Sequence, residues 1–107
     1  MSGRSPTREF STGTRLANRY TLARKLGRGG AAETWLATDR ITRASVAIKI
    51  LVDDRVTAEA LRREWQLAIR LMHAHIVRVF EFHDDEAPFY SLQFIDGPDI
   101  GVLNCKL

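Results

Sequence analysis

One stretch of this chain carries a helical period, and segments of period two lie on both sides of it. Leu61, Trp65, Ala68 and Met72 fall at i, i+4, i+7 and i+11, a single stripe of a 3.6-residue helix. Thr57 stands before the stripe as an N-cap whose hydroxyl accepts a bond from a first-turn amide, and the pattern ends near His73. Upstream, residues 20–26 alternate, with Tyr20, Leu22, Arg24 and Leu26 on one face; residues 34–38 and 45–52 read as two further strands. Downstream, residues 76–82 and 89–95 read as a fourth and a fifth, the last closed by Asp96, Gly97 and Pro98. The linking turns are short and polar. Order β-β-β-α-β-β with short turns predicts an α+β domain: a five-stranded antiparallel sheet with one helix between strands three and four.

At 107 residues the chain has material for one small domain. Its basic pI of about 9.5 suggests a nucleic-acid partner until the charge is located. Residues 1–20 carry Arg4, Arg8, Arg15 and Arg19 against Glu9, a net of +3; residues 21–107 carry 12 basic and 12 acidic residues and are neutral. The basic character belongs to the beginning of the chain, so no nucleic-acid partner is expected. Residues 1–18, rich in Ser, Thr, Gly and Arg, read as a disordered basic leader, a composition shared with transit peptides. Residues 19–100 form the domain, and residues 101–107 give no clear signal. No apolar run approaches the ~18 residues of a membrane span, so no membrane partner is expected. The lone Cys105 excludes an internal disulfide and suits a reducing compartment, which points to the cytoplasm.

Gly27, Gly29 and Gly30 sit between two strand-like segments. A dinucleotide fingerprint needs a helix after its glycines, and a P-loop needs Gly-Lys-Ser/Thr at its end; neither follows here. Two readings remain: an ordinary hairpin with glycine at positive φ, or a hairpin whose backbone lies over phosphates. The second requires a lysine on the next strand and a group to hold it. Lys49 stands in the middle of Val46-Ala-Ile-Lys-Ile-Leu51, in a chain with three lysines and thirteen arginines. A lysine there is either on an edge strand in water or buried with a partner. Glu64 shares the inward side of the helix, and its i±3 and i±4 neighbours Ala60, Leu61, Leu67 and Ala68 offer no cation. Either it tilts to solvent or it meets a tertiary partner, for which Lys49 is the natural candidate.

These residues together resemble the small lobe of a protein kinase, closest in style to bacterial Ser/Thr kinases of the eukaryotic-like type. The resemblance rests on Gly27-x-Gly29-Gly30 before a strand, Val46-Ala-Ile-Lys49, the helical Glu64, Leu71-x-His73-x-x-Ile76-Val77 and Phe94-Ile-Asp-Gly97, and runs from about residue 18 to about residue 100. It implies ATP as ligand. Gly27, Arg28, Gly29 and Gly30 would form the loop over the phosphates. Lys49 would reach the α- and β-phosphates with Glu64 holding it. Leu26 and Ala47 would flank the adenine, with Thr34 where the family usually has valine. Leu92 would stand at the back of the pocket, Gln93, Phe94 and Ile95 would form the hinge, and Asp99 would meet the ribose. Ala32 replaces the third loop glycine, and Ala74 the proline that usually follows His73. His73 and His75 are a poor metal set, and the resemblance explains His73 as a helix-end residue.

The sequence contains no His-Arg-Asp loop, no Asp-Phe-Gly and no Ala-Pro-Glu, so the family's catalytic base and both magnesium-binding groups are missing. Three functions stay open on this reading. The chain is an ATP-binding lobe, inactive alone, with magnesium arriving on the nucleotide. Or it is a non-catalytic module docking a large-lobe chain or another kinase through its exposed face. Or it is a truncated or frame-shifted kinase product, since residues 101–107 do not resemble the helix expected next.

Overall fold

The computed structural model describes residues 8–71, 78–84 and 87–94. Six strands and one helix follow in the order β1 (Arg15–Leu16), β2 (Tyr20–Gly29), β3 (Ala32–Asp39), β4 (Ser45–Leu51), α1 (Ala58–Leu71), β5 (Val79–Asp84) and β6 (Pro88–Gln93). All strand pairs are antiparallel, in sheet order β1-β2-β3-β4-β6-β5. The sheet therefore has six strands where the sequence predicts five. The added one, β1, lies within residues read as a disordered leader. Its turn is made by Ala17 and Asn18 at φ of 53° and 51°, and a strand of two residues is too short to show a period.

Residues 8–18 run along the edge of β2 and reach the back core of the sheet. The Arg8 N–H donates to Val52 O at 2.6 Å, Gly13 N–H to Leu22 O at 2.7 Å, and Leu22 N–H to Thr14 O at 2.9 Å. Phe10 packs onto a core of Leu16, Tyr20, Leu22, Trp35, Val46, Ile48, Ile50 and Phe89. Phe10 and Leu16 are the contribution of this segment to that core. The leader assignment is thus corrected for residues 8–18; residues 1–7 lie outside the described part.

The opposite face carries the helix. Ala47, Leu51, Tyr90 and Leu92 of the sheet pack against Leu61 and Ala68, with Trp65 and Phe82 at the margin. Thr57 caps α1: its Oγ1 accepts from the Ala60 N–H at 3.2 Å. Glu59 in the first turn and Arg70 in the last suit the helix dipole. Register shifts in β2, between Leu22 and Arg24 and between Lys25 and Gly27, correct the simple alternation read above. Leu22 belongs to the back core, whereas Leu26 belongs to the helix face. A bulge adds one residue and so reverses which face the following side chains meet. Strands four and five also move, to Val79–Asp84 and Pro88–Gln93.

Gly30 opens the two-residue link between the paired Gly29 and Ala32, at φ +56°. A Cβ there would meet nothing within 4 Å, so the cost of a side chain is backbone strain alone. Gly30→Ala should cost about 1 kcal/mol, read as a lower denaturation midpoint at unchanged slope.

Candidate functional site

Register decides which predicted residues share a face. Thr34 pairs with Lys49, Leu36 with Ala47, Lys49 with Tyr90 and Ala47 with Leu92, while Gly27 pairs with Thr34. Side chains directly opposite on antiparallel strands point the same way. Thr34, Ala47, Lys49, Tyr90 and Leu92 therefore line one surface, the helix face, which Leu26 joins through its bulge.

Lys49 Nζ lies 2.7 Å from Glu64 Oε2, with 9% of the lysine side chain and 27% of the glutamate side chain exposed. Central placement of β4 between β3 and β6 rules out the edge-strand reading of Lys49. A charge so buried requires a counter-charge, and α1 supplies it from its inward side. Glu64 Oε2 also accepts from Tyr90 Oη at 2.7 Å. Burial pushes the Tyr90 hydroxyl well above the usual tyrosine range, and the neighbouring Glu64 charge pushes it further, so it stays protonated as a donor. Gly29, Gly30, Ala31 and Ala32 at the hairpin tip enclose, with Lys49, Leu51, Val56, Ala60, Leu61 and Glu64, a cavity of about 310 Å³.

The outer side of the hairpin is tied down separately. Glu33 is 5% exposed; its Oε1 accepts from Trp35 Nε1 at 2.9 Å, and its Oε2 lies 3.1 Å from Lys25 Nζ and 3.5 Å from Arg28 Nη1. This cluster went unread in sequence, although Glu33, Trp35 and Ala37 alternate on one face of the strand. Glu33→Ala leaves a buried indole N–H and two cations without their acceptor. A loss of about 2 kcal/mol should follow in a denaturant titration.

Three further residues of the expected site turn their side chains away from this cavity. Arg28 turns to Glu33 on the back of the hairpin. Gln93 pairs with Val46, a back-face residue, and its N–H already donates to Arg78 O at 2.7 Å. Phe94 lines a second cavity, of about 490 Å³, with Arg19, Asp39 and Glu81. Ile95, Asp99 and residues 73–77 lie outside the described part.

No protein-family profile matches the chain. It is 34% identical over 90 residues to the serine/threonine-protein kinase PrkC of Bacillus subtilis, covering 79% of this chain and 14% of that protein. It is 37% identical over 84 residues to the serine/threonine-protein kinase PknD of Chlamydia muridarum, covering 74% of this chain and 9% of the relative. The kinase domain of Mycobacterium tuberculosis PknI superposes with a TM-score of 0.61 at 27% identity, over 83% of this chain and 38% of that one. The chain thus spans a small part of the relatives it matches. With a lysine–glutamate pair joining sheet to helix beside a glycine hairpin, on a fold shared with a kinase domain, the chain is a kinase-domain fragment that corresponds to the small lobe in bacterial Ser/Thr protein kinases.

Proposed function

We propose that this lobe binds ATP on the helix face, with the phosphates under the Gly27–Gly30 hairpin. The observation that carries the reading is the convergence of Gly29, Gly30, Lys49 and Glu64 on one cavity. Lys49 supplies the cation for the α- and β-phosphates, and backbone amides of the hairpin meet phosphate oxygens. Glu64 neutralises and aims the lysine, so that its ammonium is fixed before the ligand arrives. Leu26 and Ala47 provide apolar contact for the adenine, with Leu92 behind it. Thr34 beside Lys49 adds a hydroxyl to that floor.

Magnesium would come with the nucleotide. Glu64 is the one carboxylate lining the cavity among the described residues, and Lys49 and Tyr90 both engage its Oε2. That donor set does not fit a divalent ion, and no step is assigned to one. In this reading Lys49, Glu64 and the hairpin bind and orient the nucleotide. One wall of a cleft buries part of a ligand, so the expected Kd for MgATP is about 1 mM, some −4 kcal/mol. Titration of the 107-residue chain with MgATP, followed by chemical shifts of its backbone amides, tests this. Shifts at Gly29, Gly30 and Lys49 support the reading, and no shift up to 10 mM, about ten times that Kd, overturns it.

A further inference from the structure

We infer that Tyr90 is a positioning residue: its hydroxyl anchors Glu64 against the sheet and thereby sets the Lys49–Glu64 pair from within this lobe. The inference concerns the same site as the ATP reading and rests on it for its functional meaning; its geometric content is tested separately.

Lys49 and Glu64 belong to different elements, and each ends a flexible side chain. Holding two such chains in one geometry costs side-chain entropy, which a partly exposed ion pair barely recovers. Glu64, at 27% exposure, has water within reach as an alternative. Tyr90 differs in kind. Its ring is fully buried in the core shared by β4, β6 and α1, so the hydroxyl is a donor fixed by packing. It stands directly across from Lys49 in the sheet, which brings ammonium and hydroxyl to the same carboxylate oxygen. An O–H···O⁻ bond of 2.7 Å is charge-assisted and stronger than a neutral one. A phenylalanine would fill the same core and provide no anchor. The hydroxyl thus adds a fixed contact between helix and sheet beside the mobile one from Lys49.

The opposite effect is chemically possible, because Tyr90 and Lys49 share one oxygen. If the hydroxyl competed with the ammonium, its removal would tighten the pair. Tyr90→Phe in the full chain separates the two. The readout is the rate at which the Lys49 amine is acetylated at fixed pH, by mass spectrometry, with Lys25 as internal reference and Glu64→Gln as the benchmark for an unpaired Lys49. The expected result is a several-fold rise at Lys49 toward the Glu64→Gln rate, with Lys25 unchanged. Amide hydrogen exchange should quicken in α1 and stay slow in β4. An unchanged or slower rate at Lys49 overturns the inference. So does a rise shared with Lys25 and with β4 exchange, which would mark general loosening of the core. Acetylation requires no nucleotide, so a chain that fails to bind MgATP would sink the ATP reading without touching this result.

Discussion

Lys49→Met should weaken MgATP binding by at least about tenfold while leaving the fold intact. A charge-assisted bond from lysine to phosphate is worth roughly 1.5–3 kcal/mol, and methionine keeps the stem while removing the ammonium. The side chain is 9% exposed on a face of Ala47, Leu51, Tyr90 and Leu92, a setting that accepts an apolar replacement. Exchange of one member of a buried pair for an apolar group of similar volume is least harmful where the other can be solvated, and Glu64 retains both Tyr90 and partial exposure. Glu64→Ala is the contrasting case. It strands a buried ammonium and a buried hydroxyl together and should cost about 2 kcal/mol of stability. The pair of variants separates ligand binding from folding: one loses affinity at nearly constant melting temperature, the other loses melting temperature. Equal MgATP affinity in Lys49→Met and wild type would remove Lys49 from the site.

The Lys49–Glu64 pair was legible in sequence because it breaks local rules. A lysine amid β-branched residues and an inward carboxylate without a helical cation each ask for a partner, and a chain this short offers few. Tyr90 broke no rule. Within Pro88–Gln93 it reads as one more aromatic of a core strand, and its hydroxyl acquires a role only when the register sets it across from Lys49. Alternation groups Leu26 with Leu22, whereas the two meet opposite faces of the sheet. Alternation assumes one residue per pairing step, and the two register shifts in β2 violate that without a signature in composition. The strand Arg15–Leu16 leaves no periodic signal because it is two residues long, in a segment rich in Ser, Thr, Gly and Arg. In each case a tertiary contact decided what local pattern left undetermined. Arg19 and Asp39 show the same limit: one begins the domain and the other opens a polar turn, and only the fold closes the start of β2 onto the end of β3 through them.

That closure carries the second large effect, a stability loss of about 2 kcal/mol in Asp39→Asn at pH 7 that shrinks in acid. Asp39 is 3% exposed; Arg19 donates to it through Nε and Nη2, both at 2.8 Å, and the Ile41 N–H donates at 2.9 Å. Arg19 Nη1 continues to Glu81 on β5 at 3.0 Å, so one guanidinium ties the start of β2 to the end of β3 and to the far edge strand. The hydrogen bonds from Arg19, ahead of the one from Ile41, hold the Asp39 carboxyl well below the usual carboxylate range. A group depressed in the folded state stabilises it fully above the unfolded value of about 3.9, and this contribution is lost as pH falls from there toward the folded value. Asparagine keeps the shape and one acceptor but not the charge, so it mimics the protonated acid. Breaking a wholly buried pair costs roughly 3–5 kcal/mol; Arg19 is 20% exposed, which places this case lower. For a domain of this size the loss corresponds to a fall of about 10 °C in melting temperature at pH 7. The difference between wild type and Asp39→Asn should hold steady from pH 7 to pH 5 and narrow below about pH 4. A gap of the same size at pH 7 and pH 2 would assign the effect to packing and remove the charge of Asp39 from the account.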